Sequence, residues 1–160
     1  MKTSVITVLL FVIICLCGFS CKKDDLPRTT TSGEDTMGFY IDGVKWIAHS
    51  DDFFLSKTSA KFYNNDLLVR GVNYSDSNLE LLLSNPKEGQ YQFSTLDNIE
   101  YNRYSDFHTF TLDINDTSNN LFITHFDEKI ISGNFSFKLK SPYGEIVSIT
   151  SGRFDISIDH

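Results

Sequence analysis

From residue 37 onward, apolar and polar side chains alternate with a period of two along most of this chain. Leu79, Leu81 and Leu83 alternate with Glu80, Leu82 and Ser84, so this segment is apolar on most of both faces and reads as a central strand. His108, Phe110, Leu112 and Ile114 alternate with Phe107, Thr109, Thr111 and Asp113. Phe135, Phe137 and Leu139 repeat the pattern against Asn134, Ser136, Lys138 and Lys140, as do Phe154, Ile156 and Ile158 against Arg153, Asp155 and Ser157. Phe39-Tyr40-Ile41 and Val44-Lys45-Trp46-Ile47-Ala48 flank Asp42-Gly43, a dipeptide that suits a type I′ hairpin turn because both central residues need positive φ. Nowhere does a helical period compete for more than about two turns.

Turn-forming residues punctuate these runs: Asn64-Asn65-Asp66, Asn85 to Gly89, Asp116 to Asn120, Pro142-Tyr143-Gly144 and Ser151-Gly152. Short strands spaced roughly ten residues apart, without helices, predict an all-β domain, an antiparallel β-sandwich or barrel-like sandwich of about 9–10 short strands. Ser94 to Ser105 is the one long interruption and is expected to be a loop or a short helical turn.

The first twenty residues are of a different kind. Met1-Lys2-Thr3-Ser4 precedes an apolar run from Val5 to Cys17, the layout of a secretory signal rather than of a full membrane span. All three cysteines, Cys15, Cys17 and Cys21, lie in this segment or directly after it, so the domain beyond is expected to have neither a disulfide nor a thiolate metal site. Gly18-Phe19-Ser20-Cys21 resembles a bacterial lipobox, with Gly18 where Leu is usual and Phe19 where a small residue is usual. The resemblance implies lipidation of Cys21, with acyl chains that each contribute about 0.8 kcal/mol per buried methylene. Lys22-Lys23-Asp24-Asp25 is similar to the export signal of surface lipoproteins in Bacteroidota. Leu26 to Thr36 holds one aliphatic residue in eleven and is expected to be a flexible tether. Asp35-Thr36-Met37 fits an O-glycosylation pattern of the same phylum, making Thr36 a candidate acceptor. The expected organisation is therefore a signal peptide over 1–20, a lipidated cysteine and tether over 21–36, and one β domain over 37–160.

Charge narrows the partners. The chain carries a formal −7, or −8 once Lys2 leaves with the leader, and has no basic run. Nucleic acid is excluded as a partner, since phosphate neutralisation needs clustered Lys and Arg. The expected partners are a membrane, through the lipid, and an extracellular glycan or protein ligand.

The order and spacing of several segments are similar to the DUF6252 family of small Bacteroidota lipoproteins of uncharacterised function. These are the leader with Cys21-Lys22-Lys23-Asp24-Asp25, the hairpin Phe39 to Trp46, Gly89-Gln90-Tyr91, Leu121 to Asp127, Ile131 to Phe137 and Ile149 to Phe154. The resemblance implies a single β domain on a lipid anchor and implies no reaction.

Chemistry-bearing residues are sparse. His49-Ser50-Asp51-Asp52 groups an imidazole, a hydroxyl and two carboxylates, but neighbours in a strand face opposite ways and no nucleophile elbow occurs. His108 and His125 carry the parity of inward residues without a metal-binding spacing, and Asp113 to Asn120 is rich in oxygen but lacks the glycine and closing Glu of a calcium loop. No catalytic residue, metal or cofactor is expected. Tyr91, Tyr101 and Tyr104 cluster around the long interruption and are candidate ligand contacts, because a water-facing tyrosine can stack on a sugar or an aromatic group. The expected function is a non-enzymatic binding or structural module on the outer membrane, facing the cell exterior. The alternative is a glycan-binding or glycan-processing accessory protein using acidic and aromatic residues on the sheet.

Overall fold

A computed structural model describes residues 26–52 and 54–159. It is all-β, with eleven strands rather than nine or ten: β1 Thr36–Ile41, β2 Val44–Ile47, β3 Thr58–Tyr63, β4 Asp66–Asn73, β5 Ser77–Ser84, β6 Gly89–Gln90, β7 Asn98–Arg103, β8 His108–Leu112, β9 Asn120–Phe126, β10 Ile130–Lys140 and β11 Ile146–Asp159. Two layers result. One runs β2-β1-β11-β10-β9-β6 and the other β3-β4-β5-β7-β8. They are stitched at two corners, where β8 pairs with the end of β10 at Leu112↔Leu139 and β3 pairs in parallel with the end of β11 at Ala60↔Ile158. The hydrogen-bonded circuit β11-β3-β4-β5-β7-β8-β10 thus closes on itself, which makes the sandwich barrel-like.

The Asp42-Gly43 hairpin forms as its sequence predicts, with φ of 48° and 80° at the two residues. β5 is central, paired with β4 along its whole length and with β7 from Ser77 to Leu82, and Leu79, Leu81 and Leu83 are fully buried. β11 needs an adjustment, because its inward residues change parity from Val147 and Ile149 to Phe154, Ile156 and Ile158. Ser151, at φ 53°, takes up the extra residue as a bulge, and both neighbouring strands shift register there. A second bulge sits at Thr124, where the partners move from Gly133↔Ile123 to Ser132↔His125. It rotates His125 out of the inward row of Leu121 and Ile123.

The core between the layers is aromatic. Phe39 stacks on Trp46 at 4.4 Å and contacts Tyr101 at 6.5 Å and Phe135 at 5.9 Å, so rings from both layers interlock. The buried Trp46 indole donates to Ser77 Oγ at 2.8 Å. Two glycines in the β10–β11 ribbon make room for rings from the opposite strand. Phe154 lies over Gly133 and Phe135 over Gly152, each ring covering its cross-strand partner.

The expected loop over Ser94 to Ser105 contains β7, which lies between β5 and β8 and buries Ile99 and Tyr101. Residues 26–35, expected to be a free tether, are instead strapped to the outside of β11 and β1. Leu26 is buried, Arg153 donates to the Pro27 carbonyl at 3.1 Å, and Ser157 N donates to Asp35 Oδ1 at 2.9 Å. The centre of the attachment is Asp155, only 1% exposed. Its carboxylate accepts hydrogen bonds from the Thr30 and Ser132 hydroxyls at 2.5 and 2.7 Å, and from the amides of Ser32, Gly33 and Glu34 at 2.9 to 3.2 Å. Few apolar contacts are needed when one buried charge gathers five donors.

Burial alone would push the Asp155 carboxyl up, but the bonds from Thr30, Ser132, Gly33 and Glu34 outweigh it and hold its pKa below the usual 3.8. A pKa depressed in the folded state stabilises fully above the unfolded value and is lost as pH falls through the folded one. Asp155→Ala is expected to lower the unfolding free energy by about 3 kcal/mol at pH 7, measured by urea denaturation, and to free residues 26–35 for protease cleavage. The difference from wild type should shrink as pH is taken well below 3.8. An unchanged midpoint with an uncleaved strap would show that the carboxylate does not hold it.

Candidate functional site

Two hairpins end side by side at one corner of the sandwich. β7 and β8 are closed by Arg103↔His108, and the four-residue loop Tyr104 to Phe107 is tied back where Tyr104 N donates to the Asp76 carbonyl at 2.9 Å. β10 and β11 meet through Ser141-Pro142-Tyr143-Gly144, with Gly144 N donating to the Ser141 carbonyl at 3.0 Å and Gly144 at φ 87°. Proline at the second turn position and glycine after the third fit this turn, and they leave Tyr143 projecting from its tip.

Arg103 joins the two hairpins. It donates to Asp106 within its own loop, the shortest contact being 2.6 Å, and to Glu145 of the neighbouring turn at 3.1 Å. Its guanidinium also lies 4.9 Å from the centre of the Phe110 ring. The hydrogen bonds that Arg103 donates to Asp106 and then to Glu145 hold its pKa above its ordinary value despite some desolvation. The Arg103 hydrogen bond in turn holds Asp106 below the usual carboxylate range. His108 Nδ1 stands 3.4 Å from Asp106 and 3.5 Å from Glu145, and its ring lies 5.3 Å from that of Tyr143.

Two aromatic rings are largely exposed at this corner. Tyr143 is 83% exposed and Phe107 is 91% exposed. Phe107 is also in the left-handed region at φ 57°, which costs a bulky L-residue about 1–2 kcal/mol. Glycine in that place would relieve the backbone and remove the exposed ring together. Beside the Tyr143 turn, an open depression of about 390 Å³ is lined by Thr111, Leu112, Asp113, Asn115, Lys140, Ser141 and Pro142.

The residues singled out from the sequence are placed elsewhere. Tyr91 and Tyr101 do not face water: they are 8% and 2% exposed, and Tyr91 OH donates to Asp97 Oδ1 at 2.6 Å. Burial first, then the Asp97 carboxylate, raises the Tyr91 pKa. Tyr104 is half-buried, and burial raises its pKa. Thr36 is the half-buried first residue of β1, paired with Asp155 rather than on a free chain. Cys21, Lys22, Lys23, Asp24 and Asp25 lie outside the described residues.

His49 bonds Asp51 at 2.7 Å, while Ser50 Oγ donates to the Asp52 carbonyl, so no Ser–His pair forms there. His125 lies between Glu88 and Asp127, 3.2 Å from each, at the β9 end. Asp113 and Asp116 cap their own loop through the amides of Asn115 and Ser118, and Asp116 also meets Lys138 Nζ at 3.0 Å. Among the described residues, no group of three His, Cys, Asp or Glu side chains is arranged to hold a metal ion. An open depression of about 320 Å³ is lined by residues that include Ser50, Asp52, Lys57 and Asp159.

Residues 42–155, from the first hairpin turn to the buried Asp155, match the family described as Domain of unknown function (DUF6252). The chain belongs to the DUF6252 family. Comparison with curated proteins and with solved structures gives no match. This DUF6252 domain therefore takes its functional reading from its own geometry, and the paired hairpin tips are where that geometry is least explained by folding.

The strain at Phe107 makes a prediction about stability. Phe107→Gly is expected to raise the unfolding free energy by about 1 kcal/mol, because relief of the left-handed backbone outweighs the added chain entropy of glycine. Phe107→Ala should give less, since it keeps the Cβ. Urea denaturation of the two variants beside wild type checks the order, and equal or lower stability of the glycine variant would show that the backbone there is unstrained.

Proposed function

We propose that this DUF6252 protein is a lipid-anchored, non-enzymatic binding module on the outer face of the outer membrane, with the paired hairpin tips as its contact surface. The observation that carries the reading is Phe107, a 91% exposed aromatic held at φ 57° where glycine would cost less. Aromatic residues beside an arginine are the composition of binding hot spots, and Arg103 is already fixed by two carboxylates before any ligand arrives.

The leader and Cys21 support the anchored part of the reading. Three acyl chains would hold the domain at a bilayer essentially permanently. Lys22-Lys23-Asp24-Asp25 supports outward display. The non-catalytic part is supported by the carboxylates. Glu80 and Glu100 are direct cross-strand partners, but both project from the outward side of β5 and β7, and the inward residues on either side are core. Glycoside hydrolysis needs two carboxylates flanking a bound sugar.

Metabolic labelling with an alkyne fatty acid tests the reading in cells. Label should be present in wild type and absent in Cys21→Ala, and protease added to intact cells should digest the wild-type domain. A photo-crosslinking residue at position 107 should give an adduct on those cells that the same residue at exposed Leu96 does not. Label retained by Cys21→Ala, or an adduct pattern no different from that at Leu96, would overturn the anchor and the contact surface respectively.

A further inference from the structure

The hairpin tips and the depression beside them form one continuous surface, and their chemistry differs from one to the other. The depression is open and of about 390 Å³. Thr111, Asp113, Asn115, Lys140 and Ser141 line it; the Thr111 hydroxyl already donates to the Lys140 carbonyl, Ser141 Oγ accepts from Glu145 N and Asp113 Oδ1 from Asn115 N, which leaves the Lys140 ammonium, the Asn115 amide and the second Asp113 oxygen for a ligand. Ser141 belongs to both parts: it lines the depression, and its Oγ accepts from Glu145 N at 3.1 Å in the Tyr143 turn. A ligand entering the depression therefore leaves by way of Pro142 and the open Tyr143 ring.

We infer that this surface binds an uncharged glycan, one sugar seated in the depression and the chain continuing across Tyr143 toward Phe107. The inference rests on the proposal that the tips are the contact surface and names the class of ligand. Three features decide for sugar. A hydroxyl both donates and accepts, so a ring of hydroxyls can satisfy a mixed wall of amide, ammonium and carboxylate. A lipid tail or an apolar side chain there would cover the Lys140 ammonium and the second Asp113 oxygen without offering either a partner. The exposed face of Tyr143 carries the negative side of the ring quadrupole, against which the C–H-bearing face of a pyranose can pack.

The absence of charge on the ligand follows from the electrostatics. Arg103, the cation at the tips, is already opposed by Asp106 and Glu145, and Lys140 shares its wall with Asp113. The whole chain is acidic, at −7. An anionic polysaccharide would meet repulsion here, whereas a neutral one meets a rigid set of polar groups.

The test uses the full-length chain in detergent micelles, titrated calorimetrically with cello-, xylo-, manno- and malto-hexaose. At least one is expected to bind, with affinity falling tenfold or more in Tyr143→Ala and in Asn115→Ala. Phe107→Gly should also weaken it while leaving the fold at least as stable, so its loss of affinity is not a loss of structure. Tyr74→Ala, at the turn between β4 and β5, should bind as wild type does. Failure of all four sugars to bind, or binding that survives Tyr143→Ala, would overturn the inference. If position 107 still crosslinks to a protein on intact cells while the sugars fail, the contact surface stands and only the glycan falls. If crosslinking and sugar binding both fail, both readings fall.

Discussion

The architecture depends on two paired strands being longer than every other partner they have. β10 has 11 residues and β11 has 14, whereas the strands that flank them have at most seven. A long strand beside short ones leaves unpaired backbone at its ends, and each end must find a second partner. β11 is paired by β1 along its middle and by β3 at its end; β10 is paired by β9 and then by β8. Those second partners come from the other layer, which is why two sheets close into one circuit. The bulge at Ser151 keeps both halves of β11 facing the core despite its change of parity. Without it, one half would turn Phe154 and Ile156 to solvent.

Much of this was legible in the alternation of residues. β5, the first hairpin and the inward rows of β10 and β11 are where the sequence places them, because each is a run of large apolar side chains at period two. β7 escaped for lack of such side chains. In Asn98-Ile99-Glu100-Tyr101-Asn102-Arg103 only two residues are apolar, and the outward row of Asn98, Glu100 and Asn102 has the composition of a loop. Two inward residues suffice when a strand has neighbours on both sides to supply its hydrogen bonds. Residues 26–35 escaped for a different reason. Composition measures apolar burial, and the strap is held instead by donors converging on Asp155, a residue whose place in the alternation marks it as outward. It does face outward; the strap covers it.

The tyrosines show the limit of counting aromatics. Tyr91, Tyr101 and Tyr104 are close in sequence, yet two of them serve the core and its polar margin. At the hairpin tips the exposed rings are Phe107 and Tyr143, which are 36 residues apart in a chain of 160 and stand on neighbouring hairpins because β8 and β10 pair at a corner. No local pattern carries that juxtaposition. What was visible was the Pro142-Tyr143-Gly144 turn, and that Phe107 stands opposite in parity to the inward Phe110.

Asp155 and Phe107 both break a rule that ordinary folding obeys, and the difference between them separates structure from function. A buried carboxylate is unfavourable unless donors surround it, and Asp155 has five, so its cost is offset inside the fold. An exposed phenylalanine on left-handed backbone is unfavourable too, but its ring makes almost no contact that could offset it, being 91% exposed. Under the proposed reading, the compensation for Phe107 is a bound ligand. The neighbouring Arg103, Asp106 and Glu145 are consistent with that direction: they are locked to one another already, so a ligand arriving at the tips would have little ordering left to impose on them. If the tips are the contact surface, their strain is the trade expected where selection acts on contact rather than on stability.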